Sequence, residues 1–108
     1  MSEIENLHKQ AEAAKAKIAR RDALARLMKN KDFKHIVIEG YLEKEAVRLA
    51  HISNEPCHDR NQVFSDIMAI STFKQFLSQI ETEGFIADRD LTEANASIDY
   101  LSQNDEDE

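Results

Sequence analysis

This sequence predicts an all-α fold of four or five helices with a projecting amino-terminal amphipathic helix, and three observations carry that expectation. Glycine occurs twice and proline once in 108 residues, too few breakers for the many turns of a β-rich chain. Apolar residues recur at spacings of three and four through most of the sequence, the periodicity of one helix face. Hydrophobic residues at 42% and charged residues at 32% suit a small helical domain with a modest core. The expected organisation is a basic helical arm over 1–22, a helical core over 23–102 and an acidic disordered tail over 103–108.

The first helix starts almost at the terminus, because Ser2 and Glu5 form the S-x-x-E capping signature. Ile4, Leu7, Ala11, Ala14 and Ile18 then alternate spacings of three and four, which makes a narrow, alanine-rich heptad seam. Arg21 stands where the next apolar residue should fall, and Leu24, Leu27 and Met28 resume on a shifted face. The end of this helix is therefore expected on the core. Its amino half has too little apolar surface to hold itself in place, so these five seam residues are the candidate interface with a second copy or another protein.

Lys9, Lys15, Lys17, Arg20, Arg21 and Arg26 make the same helix basic. Phosphate neutralisation needs clustered Lys and Arg, but no aromatic residues interleave here, Glu12 and Asp22 interrupt the run, and the chain carries −7 overall. Nucleic acid is accordingly a disfavoured partner.

The central stretch opens with Asp32 as the expected N-cap, followed by Phe33, Ile36, Val37, Gly40 and Tyr41 on one α-helical face. Ile38 lies off that face, so the segment needs more than one neighbour. Gly40 marks a break or a tight contact. A second short helix fits Leu42 to Ile52, and Asn54, Glu55 and Pro56 stop it because the residue before proline avoids the α region. The pair reads as an αα-hairpin or a kinked unit.

Cys57 and His58, with His51 nearby, invite a metal or nucleophilic reading. One cysteine and scattered histidines lack the paired spacings of structural zinc, and no third group orients a Cys–His pair. No cofactor or metal is expected, and Asp59 or Asn61 is instead expected to cap the next helix.

From about Arg60 to Glu83, Val63, Phe64, Ile67, Ile70, Leu77 and Ile80 give an apolar stripe that Met68, Phe73 and Phe76 widen. So broad a stripe predicts burial on two sides, with the helix laid across the central hairpin. The expected core is Phe33, Ile36, Leu42, Leu49, Ile67, Ile70, Leu77 and Ile80. Gly84 predicts a kink or a left-handed helix end. A last amphipathic helix then follows, with Ala87, Leu91, Ala94, Ile98 and Leu101 on one face and Asp88, Asp90, Glu93 and Asp99 on the other.

The charge is polarised. Residues 1–34 carry nine Lys or Arg against five Asp or Glu, and residues 35–108 carry five against sixteen. A single cysteine excludes an internal disulfide and points to a reducing compartment. The amino terminus lacks the apolar block of a signal peptide, and no run approaches the roughly 20 apolar residues that cross a bilayer, so a soluble, non-secreted protein without a membrane partner is expected.

The segment FKHIVIEGYLEKEAVRLAH with the preceding ALARLMKNKD, about residues 23–52, resembles a pattern of small tailed-bacteriophage proteins encoded among head-morphogenesis and virion genes. The stretch ISTFKQFLSQIETEG, residues 70–84, extends that resemblance. It implies a non-enzymatic particle or assembly component, found in the bacterial host cytoplasm or the virion, that associates with itself or with a larger virion protein. It transfers no site residues. The alternative is an acidic regulatory binder that occupies a host nucleic-acid-binding protein through the acidic residues after Glu81. An enzyme is not expected, because no titratable pair is patterned into an apolar pocket.

Overall fold

The computed structural model describes residues 2–106, and among them there are helices and no strands. Helix α1 is Glu3–Met28. Helix α2 comprises residues 31–52 as three contiguous stretches: an α-turn at Lys31–Phe33, a π-helix at Lys34–Glu45 and an α-helix at Ala46–Ile52. Helix α3 is Arg60–Glu106. The all-α class is thus present, with three helices in place of the expected four or five. Both miscounts arise at glycine. Neither Gly40 nor Gly84 has a positive φ, so neither breaks its helix.

The helix starts follow side-chain capping. Glu5 N–H donates to Ser2 Oγ at 3.1 Å, the expected capping contact. Phe33 N–H donates to Asn30 Oδ1 at 3.0 Å, so Asn30 caps α2 and Asp32 lies inside its first turn. Asn61 and Gln62 N–H groups both donate to Asp59 Oδ1, at 3.0 and 3.4 Å. Asp59→Ala should therefore cost about 1 kcal/mol in a thermal melt, with Asn61→Ala near neutral. Equal losses at the two positions would remove Asp59 from the capping role. Helix α2 stops where Ser53 Oγ closes on Ala50 O at 2.7 Å, three residues before Pro56.

The chain divides into two compact units. The first joins Met1–Ala23 to Ile80–Glu108, and the second is Leu24–Gln79. In the second unit, Leu42, Leu49, Val63 and Ile70 form the buried centre, and Leu49, at 2% exposure, is its most enclosed side chain. Ile38, Ile52, Phe73 and Leu77 pack against that centre. Tyr41 meets Phe73 edge-on, with ring centroids 6.1 Å apart.

The π-helix explains which residues of α2 face this core. A π-turn closes i→i+5 hydrogen bonds, so one face recurs every four to five residues and not every three to four. Val37, Ile38, Leu42 and Ala46, with steps of four and five to and from Leu42, are buried or half-buried. Ile36, expected in the core from α spacing, is 66% exposed. Phe33, Ile67 and Leu77 are half-buried, while Leu42, Leu49, Ile70 and Ile80 are buried as expected. On the same helix, Arg48 Nε donates to Glu45 Oε2 at 3.0 Å, and this pairing holds the Glu45 carboxyl below its usual range. A depressed carboxyl stabilises the helix above its ordinary range and loses that contribution as pH falls.

In the first unit, Ala11, Ala14, Ile80, Ala87 and Ala94 are buried. The amino half of α1 therefore does not project alone, because it pairs with the chain's own α3. The broad apolar stripe of α3 is covered on one side only: Phe64 and Met68 are 53% and 63% exposed, and Phe76 is exposed too. Helix α3 continues to Glu106, across most of the expected disordered tail, and Asp107 and Glu108 lie outside the described residues. Among the described residues, no helix is long and apolar enough to cross a membrane.

Candidate helix-docking site

Within the first unit, α1 and α3 run antiparallel around a contact that the sequence leaves unexplained. Arg21, 19% exposed, occupies the seam position where an apolar residue was missing. Gly84 occupies the facing position. A Cβ built on Gly84 would lie 2.4 Å from Arg21 Cβ, and the next two carbons of the Arg21 stem are also closer than 3 Å. Glycine is thus required here for close approach and not for a turn. The arginine stem fills the seam while its head reaches the surface.

All three nitrogens of that head are engaged. Nη1 donates to Gly84 O at 3.3 Å and to Asp88 Oδ2 at 3.1 Å. Nε and Nη2 donate to Asp22 Oδ1 at 3.3 and 3.2 Å, and the guanidinium carbon stands 5.3 Å from the Phe85 ring centroid. Hydrogen bonding to Asp88, then to Asp22, raises the guanidinium above its usual range, so it stays charged.

With Arg21 opposite Gly84, steps of three and four in opposite directions set the remaining register. That spacing would bring Ile18 to Ala87, Ala14 to Leu91, Ala11 to Ala94, Leu7 to Ile98, and Ile4 to Leu101. Burial agrees with this pairing: Ala11, Ala14, Ala87 and Ala94 are buried, and the six larger partners are half-buried. Large residues face small ones or each other at the open end, and the alanine pair lets the helices approach closely. Of the five residues expected at a protein interface, Ala11 and Ala14 are buried within the first unit and Ile4, Leu7 and Ile18 are half-buried there.

The surface that remains open is beside that seam. A groove of about 630 Å³ runs between the two helices, floored by Leu7, Ala14, Ile86, Ala87 and Ala94. Lys17 stands on its α1 rim, and Asp90 and Glu93 stand on its α3 rim. Asp90 and Glu93 were legible as the polar face of the last helix, but Ile86 belongs to no continuous stripe and nothing local joins it to them. The available signal was the match of two anomalies, an arginine in one heptad seam and a glycine in the other.

The loop between α2 and α3 brings Glu55, Cys57 and His58 together, with their ligand atoms within 4.8 Å of one another. His51 is not part of the group. All three side chains are exposed, and His58 Nε2 lies 3.2 Å from Glu55 Oε2, so the imidazole and carboxylate satisfy each other. Three exposed donors fall one short of a closed tetrahedral site. Among the described residues no polar or charged side chain is buried.

No protein-family model, curated protein or solved structure matches the chain.

Proposed function

We propose that this chain is a non-enzymatic structural or assembly protein that acts by helix–helix contact, as a component of a bacteriophage particle or of its assembly in the host cytoplasm. One observation carries the reading. Among the described residues, ten large apolar side chains are exposed, whereas Leu24, Leu42, Leu49, Val63, Ile70 and Ile80 are the large ones fully buried. A chain with ten large apolar side chains exposed has surfaces suited to covering by another chain. The bacteriophage setting comes from the resemblance of residues 23–52 and 70–84.

Phe64 and Met68 are one helical turn apart on α3 and are the most prominent exposed apolar pair in the second unit. They are the face through which the chain associates with itself. Light scattering on the full chain at two salt concentrations should give a discrete oligomer. Phe64→Lys with Met68→Lys should reduce it to a monomer with unchanged helix content by circular dichroism. A wild-type chain that stays monomeric at every concentration and salt would remove the self-association reading.

Charge supports a second reading, an acidic binder of a host nucleic-acid-binding protein. The first unit carries six Lys or Arg against fourteen Asp or Glu, while the second carries eight against seven. The net charge thus resides almost entirely in one unit, and there in the residues after Ile80.

A further inference from the structure

We infer that the groove beside the α1–α3 seam takes a third helix, and that this helix is amphipathic with Lys or Arg along the flank that meets α3. The inference rests on the reading of this chain as a protein that works by helix–helix contact. It adds which surface is used and what chemistry the partner carries.

Two antiparallel helices joined through an alanine seam bury little apolar surface, and Ala11, Ala14, Ala87 and Ala94 supply most of the buried positions in this unit. Small residues at the seam leave a shallow trough above it, whose apolar floor ends in the half-open Ile86 side chain. From residue 83 to residue 97 the α3 edge of the trough spans about 21 Å at roughly 1.5 Å per residue. That length accommodates about four turns of a docked helix.

The rim decides which helix fits. On α3, Glu83 and Asp90 are seven residues apart and Glu93 follows one turn later, the heptad spacing at which flanking charges select a partner. Lys17 is the one cation among the groove residues of α1. A helix with an apolar stripe and basic residues at heptad spacing would place its cations against Asp90 and Glu93. A second copy of the first unit brings fourteen acidic residues against six basic ones to the same edge, so like charges oppose it there. The acidic rim disfavours nucleic acid for the same reason.

Two synthetic helices of about 21 residues, or six turns, with one identical Leu and Ala stripe test this, one flanked by Lys and the other by Glu at the same positions. Each carries a fluorescent label and is titrated with the full chain, with anisotropy as the readout. The Lys-flanked helix should bind at least about tenfold tighter than its Glu-flanked twin, the order of effect that charge complementarity gives. Asp90→Lys with Glu93→Lys, both at exposed positions, should reverse the preference while helix content by circular dichroism stays the same. Equal binding of the two helices, binding of neither, or a preference that survives the double substitution would overturn the inference. Binding of neither helix by a chain that scatters as a discrete oligomer would overturn the groove and leave the assembly function standing.

Discussion

Replacing Gly84 with alanine is expected to destabilise the protein, against the rule for a glycine inside a helix. Helix propensity alone favours the change by about 1 kcal/mol, since alanine restricts the unfolded backbone and glycine does not. At Gly84 the new methyl would sit 2.4 Å from Arg21 Cβ, well inside any van der Waals contact. The obstructing atom is a Cβ fixed by the α1 backbone, not the mobile end of a side chain. Relief therefore requires the two helices to separate, which pulls Ala87 and Ile80 away from the seam. Overpacking of this kind costs about 1–3 kcal/mol, enough to cancel the propensity gain and exceed it.

The decisive comparison is a double-mutant cycle. Arg21→Ala alone should lower stability, because it empties the seam beside a glycine and removes the bonds to Gly84 O and Asp88. In that background Gly84→Ala should become stabilising, since the pair then repeats the Ala11–Ala94 arrangement. A reversal of sign between the two backgrounds is the expected result, read as melting temperatures by circular dichroism. If Gly84→Ala raises the melting temperature equally in both, the Arg21–Gly84 contact does not set the register of the first unit.

The second large effect is expected at Leu49. Its side chain is the most enclosed among the described residues, within a centre of four buried aliphatic residues, so Leu49→Ala leaves a cavity that few neighbours can close. Substitutions of this type cost about 2–5 kcal/mol. Ile36→Ala removes a similar side chain from the same helix at a site that is two-thirds exposed, and should change stability by no more than about 0.5 kcal/mol. Urea denaturation with an unchanged slope gives both values. Comparable losses at the two positions would mean that Ile36 packs in the core and is not at the surface.

The sequence made three features of this protein legible by itself. Sparse breakers and the three-and-four spacing predicted helix for most of the described residues, because those signals are local and act through the backbone of a few neighbouring residues. Ser2 and Asp59 were readable as helix starts for the same reason. The seams of α1 and α3 were each visible as heptads.

What the tertiary structure alone decided lies in relations between distant residues. It brought the two heptads into one unit, where Ala11 and Ala14 are buried and Ile4, Leu7 and Ile18 half-buried, with a groove open around Ile86. It gave Gly84 a packing role, since a glycine that accommodates Arg21 has the same letter and the same local context as one that kinks a helix. It wound residues 34–45 as a π-helix and left Ile36, expected in the core, at the surface. Periodicity shows that a face is apolar. Which partner covers it depends on the close approach of backbones far apart in the chain, and that is fixed only when the helices pack.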